Sequence, residues 1–243
     1  MMSGASSGGQ FASTRWTQVL AAADPEHPEA QEALSVLCRT YWRPLYSYVR
    51  RRGYEPPDAE DLTQGFFARL LRLESLAQVR RERGRFRAFL LASLKHFLAD
   101  EHDRDRAVKR GAGLIESFDD GEAETRYLRE PIDPAMAPDQ AFDRAWALAL
   151  LDQVTVSLQE DYAEAGQLEL FEALCFCLTG SRSEAPYTEL ASRLGLSEPA
   201  IRVAVHRMRK RYREILRQEI ARTVSEPDEV EDELLQLKRA LAS

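Results

Sequence analysis

Apolar residues recur at three- and four-residue spacing through most of this chain, and no stretch alternates apolar and polar residues as a half-buried strand would. A chain patterned this way buries its apolar stripes by packing helix on helix. Ala33, Leu34, Leu37, Cys38 and Tyr41 form one stripe, after the start signals Asp24, Pro25 and Pro28. Leu45, Tyr48 and Val49 continue it beyond Pro44, a candidate interruption, and Gly53 is expected to end it. Pro56-Pro57-Asp58 predicts the next helix start, with Asp58 as a candidate cap. Over about Ala59–Arg72, Leu62, Phe66, Phe67, Leu70 and Leu71 share one face. An arginine-rich loop follows, then a helix over about Phe86–Arg106 with Phe89, Leu90, Ser93, Leu94, Phe97 and Leu98 inward, closed by Gly111-Ala112-Gly113.

Residues 114–139 lose the period, turn acidic and carry Pro131, Pro134 and Pro138, the composition of a linker. The period returns at Phe142, with Trp146, Leu150, Leu151, Val154 and Leu158 inward, then Leu168, Phe171, Leu174 and Leu178. The expected fold is all-α: two small helical domains joined by a flexible acidic linker. Residues 1–10 read as a disordered leader, 11–110 as the first domain and 111–139 as the linker. Residues 140–224 read as the second domain and 225–243 as an acidic helical tail with Leu234, Leu235, Leu237 and Leu241 on its apolar side.

Within the second domain, Tyr187–Leu194 predicts a short helix with Leu190, Ala191 and Leu194 inward. Gly195 allows a tight reversal, Leu196 is expected to plug the interface, and Ser197 caps a longer helix with Pro199 in its first turn. That helix buries Ile201, Val205, Met208, Tyr212 and Ile215 and sets Arg202, His206, Arg209 and Arg213 along the opposite face. This is the pattern of a helix-turn-helix, whose second helix can enter a major groove.

The net charge of −7 argues against a nucleic-acid partner until its distribution is read. Ile201–Arg217 holds seven basic residues against Glu214 alone, and Arg80–Arg87 holds five arginines against Glu82. Solvated helices normally mix signs, so such clusters point to phosphate.

Other chemistries find little support. The histidines His27, His96, His102 and His206 are scattered, without a metal-ligand cluster, a phosphate-cradling glycine loop or a nucleophile elbow. His102, between Glu101 and Asp103, lies on a charged helix end. Cys175 and Cys177 sit two apart, about 200° around a helix, and with Cys38 read as small buried hydrophobes. No catalytic residue, metal or cofactor is expected, and no apolar run approaches the roughly 18 residues of a membrane span.

Asp58-Ala59-Glu60-Asp61-Leu62-Thr63-Gln64-Gly65-Phe66-Phe67 resembles the acidic docking stretch of sigma factors of the extracytoplasmic-function type, within the sigma-70 superfamily. Phe86-Arg87-Ala88-Phe89-Leu90 resembles their Phe-Arg-x-Trp-Leu. Tyr187-Thr188-Glu189-Leu190-Ala191, Leu194-Gly195-Leu196-Ser197 and His206-Arg207-Met208-Arg209-Lys210-Arg211 resemble their C-terminal domain. The resemblance covers roughly 36–110 and 145–222. It implies a non-enzymatic cytoplasmic, nucleoid-associated initiation factor that binds core RNA polymerase, at the clamp helices of the largest subunit and at the flap, and directs it to promoter DNA.

By that resemblance, Asp58, Glu60, Asp61, Gln64 and Phe67 would meet polymerase. Arg81, Arg83, Arg85, Phe86, Lys95 and His96 would meet the downstream promoter element, whose opening takes a base out of the stack. Ser197, Ala200, Arg202, Val203, His206, Arg207 and Lys210 would meet the upstream element. The sequence departs from the family at Phe89, usually Trp, and at Lys95-His96, usually Arg-Asn. It departs again at Ala200 and Val203-Ala204, usually polar, which shifts base reading toward Arg202, Arg207, thymine methyls and DNA shape. A conventional helix-turn-helix regulator and a sigma-like adaptor that reads no promoter are the rival readings. The tail admits two roles, restraint of DNA binding in cis or completion of the core, and an anti-sigma partner is also compatible.

Overall fold

The regular structure of the computed structural model, which describes residues 30–72, 85–107, 135–178, 187–224 and 226–242, is helical throughout, with no strand among those residues. The first group comprises α1 (Ala30–Arg51), α2 (Pro56–Arg72) and α3 (Phe86–Ala107). The second comprises α4 (Pro138–Glu164), α5 (Leu168–Leu174), a 3-10 turn (Cys175–Leu178), α6 (Tyr187–Leu194) and α7 (Glu198–Ala221). The last helix is α8 (Glu229–Ala242). The expected all-α class holds, whereas the leader and most of the expected linker lie outside the described residues.

Several local signals act as the sequence predicts. Gly53 ends α1 at a φ of 92°, a left-handed value that glycine adopts without a Cβ clash. The Ser197 hydroxyl caps the helix that follows it, accepting the Ala200 N–H. Others differ. Pro138 is expected in the linker but opens α4, where the Gln140 side-chain carbonyl accepts the Ala137 N–H at 3.1 Å. α1 runs through Pro44 unbroken, since the missing N–H forfeits one bond, to the Thr40 carbonyl, and the buried flanks hold the helix on its neighbours. α2 begins at Pro56, two residues before Asp58, which therefore sits in the first turn beside the helix dipole instead of capping.

Among the described residues two apolar cores form, and their border does not follow chain order. The first holds Tyr41, Leu45 and Val49 of α1, Phe66, Phe67 and Leu70 of α2, and Phe86, Leu90 and Leu94 of α3. It also takes Phe142, Trp146 and Leu150 from the first half of α4, Ile220 from the end of α7, and Leu237 and Ala240 of α8. The second core holds Val154 and Leu158 from the other half of α4, with Phe171, Leu174, Leu190, Ile201, Val205, Met208 and Ile215. α4, 27 residues or about 40 Å long, therefore crosses both cores and lies along α1. Aromatic pairs stiffen the first core: Trp42 stacks on Phe67 at 5.8 Å, and Tyr41 meets Phe86 edge-on at 5.2 Å.

Three leucines expected inside are outside. Leu168 opens α5 and is 38% exposed, Leu196 in the turn before α7 is 42% exposed, and Leu235 of α8 is 45% exposed. Leu235 lies off the α8 stripe because the packed positions are Val230, Leu234, Leu237 and Leu241. The position beside that stripe is taken by Glu233, which is fully buried.

Candidate functional site

The acidic candidates on α2 divide by helical phase. Asp58 and Asp61 are exposed, and Glu60 and Gln64 are half-buried. Phe67 faces the opposite way, 5% exposed in its stack on Trp42, and is a packing residue of the surface that α2 presents. Thr63, between the two faces, is buried and donates to the Ala59 carbonyl at 2.7 Å. The helix thus offers an acidic side anchored by an aromatic one.

At the start of α3 the charges are already engaged. Arg81 and Arg83 lie outside the described residues. Arg85 pairs through Nε with Glu233 of α8 at 2.9 Å. Arg87, which the sequence reading left without a role, donates from Nε and Nη2 to the two Glu233 oxygens at 2.6 and 3.3 Å. It also donates to Asp143 of α4, and its guanidinium lies 4.7 Å over the Trp146 ring. Burial alone would lower the Arg87 pKa, but the hydrogen bond and charge of Glu233, then Asp143, hold it raised. Burial pushes the Asp143 carboxyl above its usual range, because Arg87 shares its charge with Glu233 and recovers only part of the lost hydration.

Nearby, Lys95 pairs with Asp139 at 2.7 Å and lies 5.8 Å over Tyr48, while His96 is exposed. Phe86 is fully buried, and its N–H donates to the Thr223 carbonyl at 3.1 Å. It supports this surface from below and has no face open to a base. The missed signal was on α8: Glu233 lies three residues after Val230 and four before Leu237, an acid placed at the edge of an apolar stripe.

In the second group, Gly195 takes a φ of 64° between α6 and α7, the left-handed turn its position predicts. The Ser197 hydroxyl caps α7, accepting the Ala200 N–H at 3.4 Å. The apolar side of α7 is buried as expected, with Tyr212 half-buried. On the outer side Arg202, Val203, His206, Arg207 and Lys210 are exposed and Ala200 is half-buried.

The basic count overstates the free charge there. Arg202 pairs with Glu198 at 2.5 Å, Arg211 with Asp161 at 2.7 Å, Lys210 with Glu214 at 3.9 Å, and Arg217 with Glu231. Arg209, expected on the open face, turns aside and donates twice to the Cys177 carbonyl at 3.0 and 2.8 Å. Arg207 and Arg213 stand exposed on this helix.

No group of three His, Cys, Asp or Glu side chains among the described residues is arranged to hold a metal ion, and no described helix is long and apolar enough to cross a membrane. Burial pushes the Cys38 thiol up to about 11 and raises that of Cys177, so both behave as small apolar groups at neutral pH. Cys175 and Cys177 lie on the 3-10 turn, where the α-helical angle assumed from sequence does not apply.

Residues 37–108 match the family model for Sigma-70 region 2, a stretch that runs from within α1 to the end of α3 and stops before α4. No curated protein and no solved structure matches the chain. The matched stretch contains the acidic side of α2, the aromatic core beneath it and the arginines at the start of α3. The similarity to Sigma-70 region 2 thus reaches across the helices α1–α3 and covers 72 of the 243 residues.

Proposed function

We propose that the chain is a promoter-directing initiation factor of the extracytoplasmic-function type. The observation that carries this reading is the region 2 match over α1–α3 together with the exposed acids Asp58 and Asp61 on α2. In this reading the acidic side of α2, with Glu60 and Gln64 at its margin, docks on the clamp helices of the largest polymerase subunit. The arginine-rich start of α3, with Lys95 and His96, engages the downstream promoter element. α7 enters a major groove at the upstream element, where Arg202, His206, Arg207 and Lys210 reach bases and phosphates and Val203 meets thymine methyls. The flap contact, like any anti-sigma partner, belongs to this proposal.

The test is transcription reconstituted with bacterial core polymerase and genomic DNA fragments. The expected result is start sites that depend on the added chain, and their absence at low and moderate salt overturns the reading. A conventional regulator would instead bind its duplex without polymerase. The engagement of Arg209, Arg211 and Arg217 within the fold favours one second reading, an adaptor that binds polymerase but reads no promoter. In that case the chain would co-purify with polymerase and yield no chain-dependent start.

A further inference from the structure

The described cations expected to meet DNA on the first module are each held by an acid from the second half of the chain. Arg85 meets Glu233, Lys95 meets Asp139, and the neighbouring Arg87 meets both Glu233 and Asp143. Glu233 is the centre of the group. Its carboxylate is fully buried, accepts from two nitrogens of Arg87, and is shared with Arg85. Two oxygens of one anion facing a guanidinium fork is also the geometry by which arginine takes a phosphate.

The helix that delivers this carboxylate is held by docking along one face. α8 has 14 residues, a length marginal for an isolated helix, so its order depends on docking. Leu237 and Ala240 are its buried apolar positions. Val230, Leu234 and Leu241 pack half-buried against the same core, and polar ties lie at the helix edges: Arg217 to Glu231, and Arg144 to the Leu241 carbonyl at 3.3 Å.

We propose that Arg85 and Arg87 form a site for a DNA phosphate and that Glu233 fills it as an internal competitor, so that α8 must undock before the first module grips DNA. The proposal rests on the initiation-factor reading and adds its regulation. Binding at the site is coupled to α8: DNA releases the helix, and release of the helix raises DNA affinity by the same factor.

Two experiments on the full chain test it with a 20-nucleotide single-stranded DNA. The first compares the unmodified chain with Glu233→Gln, which keeps the shape and removes the charge. Glu233→Gln is expected to bind about tenfold more tightly, with a salt slope steeper by about one to two. Adding Arg87→Gln to that variant should return the affinity to its starting level. Unchanged affinity and slope, with helix content intact by circular dichroism, overturn the proposal, as does absence of binding by both chains.

The second experiment needs no variant and decides the matter should Glu233→Gln lose its helix content. Amides of residues 229–242 should exchange faster at saturating DNA than without it, and unchanged protection overturns the proposal. A chain that drives polymerase-dependent initiation while α8 stays protected keeps the initiation-factor reading and loses only this one. A chain without initiation whose α8 yields to DNA does the reverse.

Discussion

The two arginine-rich regions use the same side chain in opposite ways. On α7, Arg202 pairs with an acid one turn earlier, remains 64% exposed along its side chain, and keeps its guanidinium within reach of solvent. At the start of α3, Arg87 is 8% exposed and meets acids 56 and 146 residues away in sequence. A local pair on an open helix contributes little to stability and leaves the charge usable. A buried group of charges shared among three helices is coupled to the packing of the whole core, because removing one member strands the others. Charge density in a sequence therefore marks where cations lie, and the burial of their partners decides whether they act as surface or as joint.

That contrast is broken or kept most directly by stability. Arg87→Ala should destabilise the fold by about 3–5 kcal/mol, since it leaves Glu233 with Arg85 alone and uncovers the Trp146 ring. Phe67→Ala should cost a similar 3–5 kcal/mol through the cavity under Trp42. Arg202→Ala should leave the urea midpoint where it is. Equal midpoints for the Arg87 and Arg202 variants would mean that the α3 cluster is not the joint its burial implies.

Polymerase and DNA affinity sharpen the same division. Asp61→Ala, on the exposed side of α2, is expected to weaken polymerase binding about tenfold without moving the melting temperature. Phe67→Ala should weaken it only as far as it unfolds the helix. Binding measured alongside circular dichroism separates the two, and a binding loss for Phe67→Ala at full helix content would restore that side chain as a contact. On α7, Arg202→Ala should lower the salt slope of DNA binding by about one, the signature of one lost phosphate contact.

How much of this was legible follows from the range of the interactions. Periodicity placed the apolar faces of α2, α3 and α7, and Gly53, Gly195 and Ser197 mark their boundaries, because caps, turns and stripes are set by residues a few positions apart. Motif spacing also located the acids of α2. What was hidden depends on elements far apart in the chain: Arg87 on Glu233, and Arg209 on the Cys177 carbonyl. The α4 stripe reads the same from Trp146 to Leu158, yet its first half serves one core and its second half the other. Pattern shows that a face is buried but not against which partner. Glu233 is the local clue to the joint: it is one of several tail acids suited to a basic face of either domain, and the sequence does not say which acid meets which cation.

The smallest effect is the most specific to the joint. Burial raises the Asp143 carboxyl above its ordinary value of 3.8, with Arg87 pulling it down and Glu233 and Asp139 adding to the rise. In the unfolded chain the same group titrates near that ordinary value. Between the two values the folded chain holds the proton more often, so stability falls as pH rises through this window. Below it the penalty is absent, and above it the penalty is fully present. The ionised Asp143 therefore works against the fold at neutral pH even though it touches Arg87. Asp143→Asn keeps an oxygen for the Arg87 hydrogen bond and removes the titration. Its unfolding free energy should decline less than that of the unmodified chain as pH rises from about 4 toward neutrality. A steeper decline for the variant would mean that Arg87 outweighs burial at this site, and that the joint is held by Asp143 as firmly as by Glu233.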